Sequence, residues 1–268
     1  MKPKAQYIPG ALLLALGATP LIAGVTIPHT FQSGETAVAD EVNANFEALR
    51  EELAEARSLI EDMRELHDHV EVIHIDPHDA NARTVRFSGV DVQIVNGEGE
   101  TDIVNGVGNL IVGYNEPGSE GPEKSGSHNI VGGSGNAYSS YGGLVVGEDN
   151  AIEARYASVS AGRQHVASGV HSSVSGGVNN IAEADGSSVS GGHKNKATGL
   201  SSSVSGGGDN EASGMRSSVS GGTSNSAAGS GSSVSGGRSN TAGGSRSSIL
   251  GGYGETASDA DETIPAID

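Results

Sequence analysis

The sequence predicts an all-β protein, a parallel β-roll or β-solenoid of fifteen-residue coils, preceded by an α-helical coiled coil. Three observations carry this. A variant of S-S-V-S-G-G-x-x-N-x-A-x-G recurs seven times, at a fixed interval of fifteen residues, between Ser158 and Ala257. Residues 36–71 space their apolar side chains at alternating steps of four and three, the period of a helical seam. Aromatic residues make up only 3% of the chain and Trp is absent, which leaves too little bulk for an ordinary globular core.

Within each repeat the first apolar rung is Val159, Val174, Val189, Val204, Val219, Val234 and Ile249. Eight residues later comes a second rung, Ala167, Ala182, Ala197, Ala212, Ala227, Ala242 and Ala257. Val stands between two serines, a polar-apolar-polar alternation that buries one face of a strand. Gly-Gly follows, where a tight turn needs residues that tolerate positive φ. Two short strands and two glycine-marked turns describe a flattened roll; a three-sided helix would need apolar rungs about five residues apart. The flanking serines, such as Ser203 and Ser205, face outward as two hydroxyl ranks. Asn150, Asn180, Asn195, Asn210, Asn225 and Asn240 form a ladder suited to holding turn backbone. A calcium ladder would need a regular Asp, and Asp209 stands alone at its position.

Taken from the start, residues 1–23 read as a secretory signal peptide: Lys2 and Lys4, an apolar stretch from Ala11, and a cleavage site near Pro20–Ala23. The mature chain is therefore expected outside the cytoplasm. Residues 24–35 contain Pro and Gly and should be irregular. Residues 36–71 form the stalk, with Val42, Phe46, Leu49, Leu53, Ile60 and Met63 as the oligomerisation seam. At its end His67, His69, His74 and His78 lie close to Asp68, Asp76 and Asp79 and are weak metal candidates. Their spacing matches no established zinc or nickel motif, so no metal or other cofactor is expected.

The β-solenoid is expected over residues 84–257, regular from about 144, with about eleven coils in all. Val85–Phe87, Val90–Val95 and Ile103–Val104 read as short strands between Asn-Gly and Gly-rich turns. Leu110–Gly113, Ile130–Gly133 and Leu144–Gly147 preview the repeat, with Leu144 placed fifteen residues before Val159 as its rung. Residues 115–127 are an insertion, and residues 258–268 a short acidic tail. Among the coils the variable positions Arg163, His193, Lys194, Arg238 and Tyr253 are candidates for specific contacts, as is the insertion.

A net charge of −18 argues against nucleic acid or acidic lipid as partners. With no Cys there is neither a thiol nucleophile nor a disulfide framework. No Ser, His and Asp occur in a triad-like arrangement, and the repeats supply no cleft of carboxylates and aromatics, so an enzyme is not expected.

The S-S-V-S-G-G-x-x-N-x-A-x-G coils resemble the head repeats of trimeric autotransporter adhesins, the YadA-like parallel β-roll. The resemblance covers about Leu110 to Ala257, with a coiled coil beside it, and no counterpart of the family's anchor barrel is expected. It implies a homotrimer of rolls at a bacterial surface, binding extracellular matrix, glycan or another cell-surface ligand. A core of one Val and one Ala per coil is thin, which independently favours assembly with a second and third copy. Two other readings remain open at this point: an ice-binding protein using the outward Ser ranks, or a subunit of an extracellular filament or coat.

Overall fold

The computed structural model describes residues 26–75, 78–79, 81–118 and 123–266. The expected signal peptide, 1–23, lies outside the described residues, as does Asp76 of the His-Asp cluster. The chain divides into two compact units, the first ending at Val92 and the second beginning at Gln93.

The first unit is built on helix α1, Ala39–His67. Asp40 and Glu41 in its first turn and Arg64 and His67 in its last complement the helix dipole. The irregular segment before it is tied down by Asn45, whose Nδ2 donates to the His29 carbonyl at 2.7 Å. Asn45 Oδ1 in turn accepts from the His29 N–H at 2.9 Å. No described residue of the helix is buried. Apart from half-buried Val42 its seam stands in solvent, with Phe46 61% and Met63 63% exposed. Among the described residues α1 is the one helix.

After the helix the expectation needs correcting. Strands β1 (Val70–His74) and β2 (Arg83–Phe87) pair antiparallel, from Val70 opposite Phe87 to His74 opposite Arg83. Residues from 84 therefore belong to a hairpin in the first unit rather than to the solenoid. The expected strands Val90–Val95 and Ile103–Val104 do not form either. Gly97, Gly99, Gly106 and Gly108 all take positive φ and turn the chain before a ladder can start. Those turns are held instead by amides: Asn96 Nδ2 donates to the Ile103 carbonyl and Asn105 Nδ2 to the Asn96 carbonyl.

The second unit is a parallel β-solenoid of about nine turns. Its first sheet has eleven strands and its second nine, so nine turns are complete rather than the eleven expected. The first sheet opens with β3 (Leu110–Val112), β4 (Ile130–Ser134) and β6 (Leu144–Glu148). The second opens with β5 (Ala137–Tyr138) and β7 (Ala151–Ile152). From β8 (Ser158–Val159) and β9 (Val166–Ala167) onward every coil repeats a Ser-Val strand and a two-residue strand ending in Ala. The part taken as an acidic tail is structured as far as a last strand, Thr263–Ile264, which pairs with Ser248–Ile249.

Every Val and Ala rung named from the sequence is buried, as is Ile249. The early register differs. Val145, not Leu144, is the rung opposite Val159, and Leu144 opposes Ser158. The spacing there is fourteen residues, as it is from Val131 to Val145. The fifteenth residue enters at the Ser-Gly-Gly step. In β4 and β6 the strand runs through five residues, whereas from Val159 it stops and resumes as a one-residue bridge at Arg163. An added residue on one edge of a ladder breaks pairing and bends the strand, as in a β-bulge.

Cohesion between coils comes from main-chain bonds and from the Asn ladder. In the coil beginning at Lys196, the N–H groups of Lys196, Thr198, Ser203, Ser205 and Gly208 donate to the following coil. Those of Ser201 and Asp209 donate to the preceding one, all at 2.8–3.0 Å. Asn210 is buried; its Oδ1 accepts from the Asn225 N–H at 3.0 Å. Its Nδ2 donates to the Gly206 carbonyl in its own coil and the Gly222 carbonyl in the next, at 2.9 and 3.0 Å. The same three bonds recur at Asn136, Asn150, Asn180, Asn195, Asn225 and Asn240, so the ladder begins one coil earlier than the sequence suggested.

Of the serines before each Val, the first is buried: Ser172, Ser187, Ser202, Ser217, Ser232 and Ser247 form an inner column. Ser247 Oγ donates to the Gly244 carbonyl, but the hydroxyls of Ser172, Ser187, Ser217 and Ser232 have no partner. These observations set a contrast in stability. Asn210→Ala removes three inter- and intra-coil bonds at a buried site and should cost about 2–4 kcal/mol. Ser217→Ala removes only an unpartnered buried hydroxyl and should be neutral or stabilising, and Thr223→Ser at an exposed position should change stability by less than about 0.5 kcal/mol. Thermal unfolding of the three variants reads the order directly; equal midpoints would show that the ladder is not what holds the coils.

Candidate interaction surface

The sequence-picked contact positions fall together. Arg163, His193, Arg238 and Tyr253 belong to one column of single-residue bridges that runs along a corner of the roll, with Val178, Gly208 and Thr223 between them. Lys194 stands beside His193 at φ +54°, in a neighbouring column of left-handed residues that includes Asn179 and Asp209. The Arg238 guanidinium lies over the Tyr253 ring, 5.9 Å from its centroid.

The insertion behaves differently from a free binding loop. Glu123 accepts from the Tyr138 N–H at 2.8 Å, and the Gly126 N–H donates to the Tyr138 carbonyl at 2.9 Å. This segment thus pairs with the first strand of the second sheet and covers its open edge. Lys124 Nζ fastens it by donating to the carbonyls of Asn115 and Glu116, at 2.5 and 2.7 Å. A polar groove of about 340 Å³ runs beside it, lined by Gly118, Gly135, Asp149, Gln164 and Asn179 among others.

Three of the four histidines end in separate roles. His67 closes α1, His74 lies in β1, and His69 Nδ1 sits 3.0 Å from the Ser88 carbonyl. Among the described residues no group of three or more His, Cys, Asp or Glu side chains gathers as a metal site, and His78 does not join one.

Sequence reasoning missed a second corner. The two residues before each buried Ser column position vary from coil to coil: Arg155-Tyr156, Val170-His171, Asp185-Gly186, Leu200-Ser201 and Met215-Arg216. Leu200 is 51% and Met215 44% exposed. Tyr141 meets Tyr156 edge-on with centroids 5.4 Å apart, and Tyr156 stacks on His171 at 5.1 Å and 8°. Tyr156 and His171 hold φ of +60° and +59°, a region that bulky residues rarely occupy. In the same column other coils place Gly186 and Gly231, which take it freely. A hint was present in the sequence, since a column alternating Gly with Tyr, His and Arg cannot be core.

Charge is unevenly distributed. Between Ser158 and Ala257 the six bases Arg163, Lys194, Lys196, Arg216, Arg238 and Arg246 slightly outnumber the five acids Glu183, Asp185, Asp209, Glu211 and Glu255. The strongly negative balance of the chain therefore lies outside the regular coils. Arg246 is held by Asp261 through two contacts of 2.5 and 2.6 Å, which raises the pKa of the guanidinium and lowers that of the carboxyl. Both groups are exposed, and the pair clasps the last coil to its neighbour.

One ladder position departs from Asn. His165 is fully buried, and its Nδ1 accepts from the Asn180 N–H at 3.0 Å, as an Asn Oδ1 would. Its Nε2 completes no hydrogen bond. Burial pushes the His165 pKa below its ordinary value, opposed by the nearby Gly177 backbone. The Asn180 N–H needs the Nδ1 lone pair, which itself favours the neutral ring.

Comparison with known proteins adds no identity: no family model matches the chain, and no curated protein is significantly similar to it.

The His165 geometry fixes a pH dependence. Above about 6.5 the ring is neutral in both folded and unfolded chains, and the site adds nothing to the slope. As pH falls through that value the unfolded chain takes up the proton first, so stability drops. His165→Asn should remove this component and restore the donor to Gly177. Melting temperatures of the two proteins should agree or favour the variant at pH 7.5 and diverge further in its favour at pH 5. A constant difference at both values would show that His165 does not titrate with unfolding.

Proposed function

We propose that the protein is a non-enzymatic spike, displayed outside the cytoplasm, that assembles as a homotrimer through α1 and serves a structural or adhesive role. The observation that carries this reading is the helix with no buried residue, whose apolar seam is not covered by any of the described residues of its own chain. Val42, Phe46, Leu49, Leu53, Ile60 and Met63 keep the four-three spacing that knobs-into-holes packing requires. A helix with such a face is stable in water when copies of it share the seam.

The solenoid supports the same reading. About nine turns at ~4.8 Å per coil make a stiff element roughly 40 Å long. Its outward positions change from coil to coil while Val, Ala, Asn and Gly stay fixed inside. Such a face binds by many weak contacts, and three copies multiply them by avidity. The resemblance of the coils to adhesin head repeats points the same way, and a secretory leader at 1–23 would deliver the chain to the surface.

The outward Ser ranks favour a second reading. Ser203 and Ser218 stand in register, as do their counterparts from Ser158 to Ser248, and the Ser205 rank beside them is exposed. Regular hydroxyls can order water at an ice surface, although the methyl group of Thr, which aids this, is missing. Thermal hysteresis and inhibited ice recrystallisation at high protein concentration would establish it; their absence removes it.

The spike reading predicts a trimer by light scattering at micromolar concentration, and a monomer there would sink it. Leu53→Asp should dissociate the assembly. Protease added to intact cells that make the protein should cleave it from outside. Full protection until the cells are opened would end the display reading.

A further inference from the structure

The corner formed by the residue pairs before each buried Ser column is the part of the solenoid that its scaffold does not explain. Rings at positive φ cost backbone strain, and Gly in the same column shows that the fold does not require them. The column reads Gly142, Tyr156, His171, Gly186, Ser201 and Arg216 from coil to coil. Tyr156 lies over Gly142, where a Cβ would meet its ring atoms, and His171 stacks on the other face of Tyr156. The far face of His171 is turned to Gly186, which has no side chain to cover it. A Cβ on Gly186 would find only Ser201, with Oγ at 3.5 Å. The result is an open shelf one coil deep, floored by an imidazole ring and roofed by a serine hydroxyl.

The shelf lies midway between two cations. Arg155 is two coils to one side and Arg216 two coils to the other, so each is about 10 Å away along the stack. Both are exposed, and neither forms an ion pair among the described residues. Asp185 adjoins the shelf; its Oδ1 accepts from the Val170 N–H at 2.9 Å, which leaves its second oxygen for a hydroxyl group. Leu200 and Met215 add exposed apolar surface on the next two coils.

We infer that this corner binds an acidic polysaccharide in which charged and neutral sugars alternate. A neutral ring stacks on His171 in the Gly186 shelf, with hydroxyls on Asp185 and Ser201, while anionic groups of flanking sugars meet Arg155 and Arg216. Sugar rings present flat C–H faces to aromatic rings, and carboxylate or sulfate suits the guanidinium. The asymmetry of charge decides against a uniformly charged polymer, since Asp185 repels an anion at the centre of the site. The inference rests on the adhesive reading and supplies its ligand class.

The test uses the purified full chain, with hyaluronate as the carboxylate probe, chondroitin sulfate as the sulfate probe, and neutral dextran and polyglutamate as controls. Binding is measured by calorimetry at low salt. One or both of the alternating polysaccharides should bind, and dextran and polyglutamate should not. The variants His171→Gly and Tyr156→Gly relieve positive-φ strain, so their folding is safe, and His171→Gly should weaken binding about tenfold. Gly186→Tyr should fill the shelf and abolish it, and Arg155→Ala with Arg216→Ala should flatten the salt dependence. Binding of polyglutamate as tight as of the polysaccharides, or no effect of Gly186→Tyr, would overturn the proposal. So would a correctly assembled trimer that binds neither polysaccharide, and that outcome leaves the spike itself standing. A chain that binds but never reaches the cell surface overturns display alone.

Discussion

The structure depends on the amide of one asparagine per coil. A Val and an Ala bury too little to define a fold, and apart from His165 the regular coils bury no side chain larger than Ile249. What joins each turn to the next is a side chain that accepts one backbone N–H and donates to two backbone carbonyls, repeated up the stack. Inside a protein an unpaired amide or carbonyl is costly, so each complete set of bonds excludes any other register between coils. The glycine requirement follows from the same closeness. A Cβ on Gly207 would overlap the Gly222 carbonyl oxygen and crowd the Asn210 amide, and Gly207 also needs φ +84°. A larger residue there would separate the coils and break the ladder it stands beside.

The ends of a solenoid pose a separate problem, because a stack of strands leaves open edges that invite further pairing. At the early end of the second sheet the segment around Glu123–Gly126 supplies the missing partner. In the first coils the position later filled by buried Ser is taken by Asn109 and Asn129. Asn129 accepts from the Gly143 N–H and donates to the Ser140 carbonyl, replacing a hydroxyl by a wider bridge. At the far end Pro265 follows the last strand and has no N–H to offer, and the Arg246–Asp261 pair ties that coil down. These are also the places where the repeat is least regular, since an end coil has a neighbour on one side only.

The inner face of each coil is nearly invariant and the outer face is free to vary, which is why chemistry gathers at the corners. Strand positions place Ser outward in flat ranks, whereas the corner residues project away from the backbone and escape the packing constraint. Bulk net charge misleads at this scale. The chain is strongly acidic, yet its regular coils carry slightly more bases than acids, and one of them, Arg216, shares with Arg155 the corner of the stacked rings.

The sequence by itself determined the coil: its two strands, its Val and Ala rungs, the turn glycines and the Asn ladder all follow from a strict period, because stacking copies one local solution fifteen residues on. It also marked α1 and the seam spacing, for which 3.6-residue geometry suffices. Only the tertiary structure decided where the period fails. Leu144 and Val145 are both apolar, and choosing between them needs the strand pairing that sets fourteen residues before Val159 rather than fifteen. Nor does local pattern show that Arg83–Phe87 turns back on Val70–His74, since an antiparallel partner is a long-range choice. The stacking of Tyr141, Tyr156 and His171 was hidden for the same reason, although the alternation of Gly with rings in their column marked it as surface. These residues lie about fifteen apart in the chain and look unrelated there, and only the register of the stack brings their rings to about 5 Å.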